Sequence, residues 1–486
     1  MLRQPSARPW AMSLSPAQLD RCAGVLLGLA AGDALGAGYE FAAPPPGEAE
    51  MIGGGLGGWD PGEWTDDTQM ALCIAEETAT GSLDALAVAE RFLSWYRSGP
   101  ADVGIQTRAV LSSAERATEV PVRAARYFES HPDNSAGNGS LMRTAPVALA
   151  HLGDDGALLA SAMAVSSLTH ADPLAGEACA LWCIAIDRAV REGHLEGIFD
   201  GLALLPRARR SFWEERLEEA RTGPPSRFTP NGFVVTALQA AISSIWSTPV
   251  PGDLPCRHLQ DSLQTAVKVG NDTDTVAAIA GSLLGARWGS SALPVDWQLA
   301  LHGWPGYRAR DLVRLAVLSA RGGEPDSSGW PSAPDLTEYY ERTGPAEPFV
   351  HPLAEDPGVL LANIAGAAVT EADVVVSLCR MGPAQPPHSD RAEIWLLDSA
   401  EPADNPNLEF ILLDLGRAIS RWREEGKTVL VHCVQAESRT PAVAAAYLAR
   451  RDGMSGIDAL AAVKSQVPQA RSNQVFEEAL GRLARR

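Results

Sequence analysis

The sequence predicts a multidomain protein in which an all-α N-terminal domain is followed by an α/β domain with a mainly parallel sheet. A chain of 486 residues is longer than one hydrophobic core usually serves, so at least two domains are expected. Between about residues 16 and 320, apolar residues recur at helical spacing, with few alternating strands. Beyond about residue 355, short β-branched runs alternate with helical stretches, which is typical of a parallel sheet.

The helices of the first region have recognisable starts. Ser15 and Pro16 are a predicted N-cap and first-turn proline before a long apolar helix. The Ala- and Gly-rich stretches 157–168 and 275–289 are too short to span a bilayer, so they predict helices buried in an all-helical core. We therefore expect residues 16–322 to form the all-α domain.

The second region follows a change in composition. Residues 321–358 are dense in Pro, Gly and acidic residues, which predicts a linker over 323–354. Residues 355–486 are then expected to form the α/β domain. Three short apolar runs predict its strands: 373–379, 393–397 and 428–433.

The overall composition indicates a soluble globular protein and limits its partners. Hydrophobic residues make up 46% and charged residues 21% of the chain, and its start shows no apolar signal core. Seven scattered cysteines suit reduced thiols, so a cytoplasmic location is expected. A formal charge of −20 makes nucleic acid an unlikely partner and argues against binding to an anionic membrane.

Two acidic clusters, each directly before an apolar helix, supply the first candidate site. Their oxygen-bearing residues are Thr65, Asp66, Asp67, Asp272, Asp274 and Thr275. Asp and Thr are also good helix N-caps, and capping is the simpler interpretation of either cluster alone. Together they form an oxygen-only ligand set that suits Mg²⁺ or Mn²⁺, and two divalent cations would relieve the repulsion among four carboxylates.

Six segments in order carry a family resemblance: "GVLLGLAAGDALGAGYE", "EWTDDTQM", "GPADVGIQTRAVL", "SAGNGSLMRTAPVAL", "LTHADPLAGEACALWC" and "GNDTDTVAAIAGSLLGARWG". Over about residues 18–320 the chain resembles the ADP-ribosylglycohydrolase family, of the dinitrogenase reductase-activating type. The resemblance implies an all-α fold, a dinuclear Mg²⁺ or Mn²⁺ site, and release of ADP-ribose from a modified side chain or a related acceptor.

The same resemblance implies roles for individual residues. The six oxygen-bearing residues match metal ligands, while Glu40 and Asp102 match carboxylates near the metals and the reacting bond. The residues that match the diphosphate and distal-ribose segment are Asn138, Gly139, Ser140, Met142 and Arg143. His170 matches a histidine on the ribose or adenine side, although a lone histidine is more often structural. Which carboxylate acts as the base is left open.

The segment "HCVQAESRT" supplies a second candidate site. Cys433 follows a predicted strand, and Arg439 and Thr440 open a predicted helix, so the loop between them would form an anion-binding nest. Such a nest lowers a thiol pKa and favours a nucleophilic Cys433, with Arg439 gripping phosphate oxygens and Thr440 near the sulfur. The alternative is a buried cysteine at a strand end beside a capping arginine.

Over about residues 355–486 the chain resembles the dual-specificity, protein-tyrosine-phosphatase-like superfamily. The resemblance implies a Cys433 nucleophile and a general acid, for which Asp398 has the expected spacing and Asp404 is a second candidate. Ala436 departs from the family pattern, which has glycine at this position. If that position needs a positive φ, alanine strains the loop by about 1–2 kcal/mol.

The sequence thus predicts a bifunctional enzyme, with a metal-dependent ADP-ribosyl hydrolase first and a cysteine-dependent phosphatase second. Its expected substrates are an ADP-ribosylated protein or small molecule and a phosphorylated molecule. The fusion suggests that both sites act on one target or on one ADP-ribose derivative. The alternative is a non-catalytic module that binds ADP-ribose and phosphate. The acceptor of the ADP-ribosyl group is left open.

Overall fold

The protein is described by a computed structural model. It describes residues 14–333, 336, 339–340, 342, 344–345, 347–382 and 390–483.

The first region is helical, as predicted. The helices are α1 (Pro16–Gly36), α2 (Asp66–Thr78), α3 (Ala85–Arg97), α4 (Ile105–Ser112), α5 (Val120–Ser130), α6 (Ala145–Ala150), α7 (Asp155–Ser167), α8 (Pro173–Glu192), α9 (Gly197–Leu202), α10 (Arg207–Thr222), α11 (Val234–Ser247), α12 (His258–Val267), α13 (Thr273–Trp288), α14 (Val295–Ala300) and α15 (Ala309–Ala320). One short antiparallel pair joins β1 (His302–Gly303) to β2 (Tyr307–Arg308).

Helix α1 begins at the predicted cap and runs through the centre of this region. The Ser15 hydroxyl accepts a hydrogen bond from the backbone N–H of Gln18, and the Gln18 side chain accepts one from the backbone N–H of Ser15. Residues Pro16–Tyr39 are apolar and long enough to cross a membrane by those two criteria alone, yet 89% of their most apolar window is buried inside the protein. Such burial is expected of a core helix.

Helices α1 and α13 pack backbone against backbone. A Cβ atom placed on Gly28 would lie 2.2 Å from the carbonyl oxygen of Gly281, and one on Gly281 would lie 2.0 Å from that of Gly28. The same contact recurs one turn away, where a Cβ on Gly24 would lie 2.2 Å from the Gly285 carbonyl oxygen. Because real Cβ atoms do not approach other atoms this closely, glycine is required along this contact.

This close packing joins the C-terminal end of α1 to the N-terminal end of α13. A Cβ on Gly36 would lie 2.5 Å from the Cα of Asp274, and the Thr273 hydroxyl donates a 2.9 Å hydrogen bond to the Gly36 carbonyl oxygen. The predicted acidic cluster at Asp272–Thr275 therefore lies against the C-terminal end of α1.

The second region is an α/β unit with a five-stranded sheet. Its strands are β3 (Val350–Leu353), β4 (Asp356–Ala362), β5 (Val374–Ser377), β6 (Asp390–Glu393) and β7 (Val429–His432), and its helices are α16 (Ile364–Ala367), α17 (Leu408–Glu424), α18 (Arg439–Asp452), α19 (Gly456–Gln466) and α20 (Gln474–Arg482). The strand order is β3-β4-β7-β5-β6. Strands β4, β7, β5 and β6 are mutually parallel, and only β3 is antiparallel to its neighbour. The predicted fold class is confirmed.

The element boundaries differ from the predicted ones at two places. The sequence predicts a strand over 393–397, but β6 spans Asp390–Glu393 and residues 394–397 belong to no strand. Strand β3 lies inside the predicted linker, and it contains Pro352, which an edge strand tolerates because one side of its backbone is unpaired.

The two regions are joined at the other end of the α1–α13 pair, near the start of α1 and the end of α13. The Asp20 carboxylate on α1 accepts hydrogen bonds from the hydroxyl groups of Ser290 and Ser291, at 2.6 and 2.5 Å. Asn407 of the second region donates from Nδ2 to the Trp288 carbonyl oxygen and to the Ser291 hydroxyl, at 2.6 and 2.8 Å.

Apolar and charged contacts extend this junction. Phe410 of the second region packs in the hydrophobic core of the first, while Val295 packs in the core of the second. The backbone N–H of Val295 donates a 2.7 Å hydrogen bond to the Asp414 carboxylate, and Arg421 forms an ion pair with Asp296 at 2.6 Å. Hydrogen bonds, an ion pair and apolar packing thus all hold the two regions together at this junction.

The α1–α13 contact predicts the outcome of a single methyl insertion. We expect Gly28→Ala to lower the free energy of unfolding by at least about 2 kcal/mol, because the new Cβ must push two helix backbones apart. Differential scanning calorimetry of the full chain measures the loss. Gly252→Ala is the matched control, since no atom lies within 4 Å of a Cβ placed there. Equal stability of the two variants would contradict backbone contact between the helices.

Candidate active sites

The predicted metal ligands converge at the meeting point of three helix ends. Asp66 and Asp67 lie in the first turn of α2, and Asp274 lies in the first turn of α13. The N-cap of α2 is Thr65, whose hydroxyl accepts from the backbone N–H of Asp67 at 3.4 Å. The Thr275 hydroxyl donates to Oδ1 of Asp67 across the two helices, at 3.2 Å. Thr65 thus caps α2, as one of the two interpretations of the sequence expects, while the neighbouring carboxylates converge as the other expects.

Asp33 belongs to this site but was not among the predicted ligands. It lies near the end of α1 and is fully buried. Its carboxylate accepts the backbone N–H groups of Thr65 and Thr68, both at 3.0 Å, and the Thr68 hydroxyl at 2.5 Å. Asp33 therefore anchors the start of α2 from another helix. A charged residue inside an otherwise apolar helix was the sequence signal that could have indicated it.

The carboxylates form two overlapping groups. Oxygen atoms of Asp33, Asp67 and Asp274 lie within 4.8 Å of one another, and so do those of Glu40, Asp272 and Asp274. Asp274 is common to both groups, so the cluster has room for two adjacent cations that share one carboxylate.

Burial and mutual repulsion raise the pKa values of these carboxyl groups. Burial is the largest cause for Asp66, whose pKa rises to about 8, and the charges of Asp102 and Asp33 add to it. The pKa values of Asp67 and Asp274 are raised well above their usual range, by burial and then by neighbouring carboxylates. A buried anionic cluster of this kind is costly unless protons or cations neutralise it.

The residues present fit a pair of hard divalent cations. All the donors are carboxylate or hydroxyl oxygens, which Mg²⁺ and Mn²⁺ prefer. Oδ2 of Asp67 is buried, and it accepts no hydrogen bond from any residue that the structure describes. A cation bound to this oxygen would account for its lack of a hydrogen-bond donor.

Two asparagines hold Asp272 in place. Nδ2 of Asn138 donates to Asp272 Oδ2 at 2.8 Å and to the Asn231 carbonyl oxygen at 3.1 Å. The backbone N–H of Asp272 donates to Oδ1 of Asn231 at 3.0 Å. Asn138 was predicted to contact substrate, and the structure places it against a metal-ligand candidate. Asn231 was not predicted, because nothing in its local sequence distinguishes it.

His170 lies against the predicted diphosphate loop. A Cβ on Gly139 would lie 3.0 Å from Cε1 of His170, so the glycine leaves room for the ring. The Thr169 hydroxyl accepts from Arg143 Nη2 at 2.6 Å and shares a 2.7 Å hydrogen bond with His170 Nδ1. Burial lowers the pKa of His170 to about 3, and the Arg143 charge lowers it further. His170 is thus an uncharged ring that Thr169 holds in place at Nδ1.

The rest of the predicted diphosphate segment is buried. Arg143 is 0% exposed, and its guanidinium lies 4.5 Å from the centroid of the Phe92 ring. The Ser140 hydroxyl accepts from Ser166 at 2.9 Å, and Met142 is buried as well. The structure brings Gly139 and His170 together, but it places Arg143 beneath them, where it supports Thr169.

Glu40 and Asp102 lie at the rim of the acidic cluster, and both are half-buried. Burial raises the pKa of Glu40 to about 8, and the charge of Asp272 is the next largest cause. Oδ1 of Asp102 accepts from the backbone N–H of Val103 at 2.7 Å. Their position between the ligands and solvent is compatible with the predicted roles at the reacting bond.

The second candidate site lies at the carboxyl edge of the parallel sheet. Cys433 directly follows β7, and α18 begins at Arg439, which gives the predicted strand–loop–helix arrangement. Nη1 of Arg439 donates to the carbonyl oxygens of Leu378 and Leu396, at 2.6 and 3.3 Å. His432 and Ser377 share a 2.7 Å hydrogen bond that joins the ends of β7 and β5.

Several polar atoms around this loop have no hydrogen-bond partner among the described residues and are available to a ligand. Arg439 Nε, Ser438 Oγ and Thr440 Oγ1 are buried without a hydrogen-bond partner in the described part of the chain. A phosphate group supplies acceptors for such donors.

The structure separates the two candidates for the general acid. Oδ2 of Asp398 lies 3.9 Å from Nε of Arg439. Asp404 instead accepts a 2.6 Å hydrogen bond from the Ser399 hydroxyl within its own loop. Asp398 thus lies beside Arg439, whereas the Asp404 carboxylate is engaged within its own loop, and this arrangement favours Asp398 as the general acid.

Ala436 has the strained conformation that its sequence position suggested. Its φ angle is +58°, and its side chain is fully buried. A left-handed backbone at alanine costs about 1–2 kcal/mol. The loop therefore keeps the backbone path of a glycine while carrying a methyl group.

Comparisons with known proteins agree with this division of the chain. The family model of ADP-ribosylglycohydrolase matches residues 14–325, and that of the dual specificity phosphatase catalytic domain matches residues 368–485. The ADP-ribosylarginine hydrolase Tri1 of Pseudomonas putida (strain GB-1) is 32% identical over 308 residues, which cover 60% of this chain and 79% of that protein. The ADP-ribosyl-dinitrogen reductase glycohydrolase of Rhodospirillum rubrum is 33% identical over 58% of this chain and 90% of its own length.

A solved ADP-ribosylglycohydrolase-related protein complex is 30% identical, with a TM-score of 0.49, and covers 63% of this chain and 99% of that chain. The family matches confirm both resemblances. The chain is an enzyme that combines an ADP-ribosyl hydrolase region with a dual-specificity phosphatase region.

The strain at Ala436 predicts a stabilising substitution. We expect Ala436→Gly to raise the free energy of unfolding of the second region by up to about 1 kcal/mol, since glycine adopts positive φ without cost. Ala442→Gly is the matched control, because it lies in the right-handed backbone of α18 and should lose about 1 kcal/mol. Scanning calorimetry measures both, and a loss of similar size in the two variants would contradict strain at Ala436.

Proposed function

Because the chain belongs to the ADP-ribosylglycohydrolase family, we propose that its first active site is a dinuclear-metal-dependent hydrolase that releases ADP-ribose from modified arginine side chains. The observation that carries the proposal is the pair of overlapping carboxylate groups that share Asp274. Mg²⁺ is the expected cation and Mn²⁺ the alternative, since both prefer oxygen ligands.

The residues of this site have separate tasks in the reaction. Divalent cations, when bound, would orient the ribose diol and activate a water molecule. The carboxylates at the helix ends stabilise the positive charge that develops on the ribose in an oxocarbenium-like transition state. The uncharged His170 ring lies beside the Gly137–Gly139 loop, where its Nε2 can form a hydrogen bond with the substrate. Water adds to the anomeric carbon as the bond to the acceptor breaks, and the departing nitrogen takes up a proton.

The proposed acceptor follows from the relatives. Two of the similar proteins, from Pseudomonas putida (strain GB-1) and Serratia proteamaculans (strain 568), are named ADP-ribosylarginine hydrolases, at 32% and 30% identity. An N-glycosidic bond to arginine is therefore the first linkage to test. A linkage to serine is the alternative that the test separates from it.

We expect the purified chain to release ADP-ribose from an arginine-modified peptide in the presence of Mg²⁺ or Mn²⁺. The rate should fall at least 100-fold with a chelator or in Asp67→Asn, because each removes part of the cation site. A serine-modified peptide of the same sequence is the acceptor control. Asp133→Asn, which replaces an exposed carboxylate, is the matched variant control. Chelator-resistant release would contradict the metal-dependent proposal.

A stability measurement separates a metal site from a merely structural cluster. Asp274→Asn removes one charge from both carboxylate groups, so the metal-free variant should unfold at a higher temperature than the wild type. The same variant should lose the rise in unfolding temperature that Mg²⁺ or Mn²⁺ produces in the wild type. A variant that is less stable without metal and still stabilised by it would contradict ligation by Asp274.

We also propose that the second active site is a cysteine-dependent phosphatase. The Cys433 thiolate attacks phosphorus, and the bond to the leaving oxygen breaks as Asp398 protonates that oxygen. Arg439 holds two phosphate oxygens during the attack. Water then cleaves the sulfur–phosphorus bond and releases inorganic phosphate and the thiolate. The donors left free around the loop support phosphate binding, and the placement of Cys433 at the start of the loop with Asp398 beside Arg439 favours catalysis over binding alone.

The phosphatase proposal predicts distinct effects of two substitutions. Cys433→Ser should abolish hydrolysis of p-nitrophenyl phosphate, since serine is a poor nucleophile in this setting. Asp398→Asn should lower the rate about 100-fold and remove the basic limb of the pH–rate profile, whereas Asp404→Asn should change neither. Phosphate release measured across pH tests all three variants. Full activity in Cys433→Ser would contradict the proposal.

A further inference from the structure

A cavity of about 350 Å³ lies between the two regions, at the carboxyl edge of strands β5 and β6. It is lined from three parts of the chain. The first region supplies Gln298 and Val313, the connecting segment supplies Trp330, and the second region supplies Glu393, Trp395 and Arg439. The cavity therefore exists only where the regions are joined.

Two tryptophans form the aromatic wall of this cavity. The ring centroids of Trp330 and Trp395 lie 6.0 Å apart, and the Arg380 guanidinium lies 4.6 Å from the Trp330 ring. Arg380 is fixed by an ion pair with Asp326. Trp330 is 5% exposed, and the Nε1–H groups of both tryptophans are buried without a partner among the described residues. A buried donor without an acceptor is unfavourable, and an acceptor atom on a ligand would relieve this.

Polar groups stand beside the aromatic wall. Glu393 faces the cavity and pairs with Arg391 through Oε1, and burial raises the pKa of its carboxyl group. Gln298 donates from Nε2 to the Leu293 carbonyl oxygen at 2.9 Å, which leaves its Oε1 as an acceptor. A carboxylate and an amide oxygen accept hydrogen bonds from an exocyclic amine, and aromatic rings contact the face of a planar base.

Arg439 connects this cavity to the phosphate loop. Its side chain lines the cavity, and its Nη1 group is held by the carbonyl oxygens of Leu378 and Leu396. Leu396 also lines the cavity. A molecule whose phosphate reaches Arg439 can thus place its other end among the two tryptophans, Glu393 and Gln298.

We propose that the second active site takes a small phosphomonoester that carries a nucleobase with an exocyclic amine, and that this cavity binds the base. The inference rests on the proposed phosphatase function. A cavity of this size is within the range of small-molecule sites, and both regions of the chain enclose it. A phosphotyrosine peptide would use the aromatic wall but not the paired acceptors, so it is the competing substrate in the test.

The test compares substrates in the full-length protein and in Val313→Phe, which fills the cavity from α15. The substrates are adenosine and inosine monophosphates, p-nitrophenyl phosphate and a phosphotyrosine peptide. We expect the ratio of kcat/KM for adenosine monophosphate to that for p-nitrophenyl phosphate to fall at least tenfold in Val313→Phe. Val369→Phe, an exposed site in the second region, is the matched control. An unchanged ratio in Val313→Phe would overturn the proposal, and so would a tenfold preference of the wild type for the peptide.

A second variant tests recognition of the base itself. The wild type should prefer adenosine over inosine monophosphate at least fivefold, because inosine lacks the amine, and Glu393→Gln should remove that preference. A preference that persists in Glu393→Gln would contradict base contact at this residue.

Binding separates failure of this inference from failure of the phosphatase proposal. Turnover of p-nitrophenyl phosphate, with no rise in the unfolding temperature of Cys433→Ser on adding adenosine monophosphate, would reject the base site and keep the phosphatase. No turnover of any ester, with a rise that Val313→Phe abolishes in the Cys433→Ser background, would support the base site and reject the phosphatase.

Discussion

The contact between α1 and α13 is the constraint on which the rest of the structure depends. Glycines on both helices let the backbones touch, so no side chain separates them. That closeness brings Gly36 against Asp274 and places Asp33 within reach of the α2 amides. A wider separation would disperse the carboxylates. Backbone packing between two apolar helices thus determines the geometry of a polar site.

The acidic cluster opposes folding while the helices hold it together. Burial and mutual repulsion raise the pKa values of Asp66, Asp67 and Asp274, so the charged cluster is unfavourable by itself. Hydrogen bonds offset part of this unfavourable energy, because Asp33 accepts from the start of α2 and Asn138 donates to the Asp272 carboxylate. The rigid scaffold holds the carboxylates close together although they repel one another. Divalent cations that bind there would remove this repulsion, and their binding would therefore be tight.

The acidic cluster and the junction between the two regions lie at opposite ends of α13. The acidic cluster is at the start of α13, and the junction is at its end, where Asp20, Ser291 and Asn407 are joined. A helix of 16 residues is about 24 Å long, so the cluster and the junction are separated by roughly that length. Ser290, which also belongs to the junction, lines the cavity that contains Arg439.

The sequence motifs were a good guide to which residues lie close together. They were a poorer guide to the direction in which each side chain points. The clusters around Asp66 and Asp274 converge as expected, because helix-capping sequences and carboxylates mark helix starts. Arg143 lies in a motif that suggested contact with phosphate, yet it is fully buried and supports Thr169. Asp33 looked like one polar residue in an apolar helix, and only its contact with α2 revealed its place in the site.

The sequence alone determined the two fold classes, the acidic helix starts and the strand–loop–helix around Cys433. These features depend on local periodicity, capping and backbone preference, which act between residues close in the chain. The tertiary structure decided the positive φ at Ala436 and what depends on distant residues: the approach of Asp398 to Arg439, the support of Asp272 by Asn231, and the cavity between the regions. Contacts between residues far apart in the chain are set by packing, which leaves no short-range pattern in the sequence.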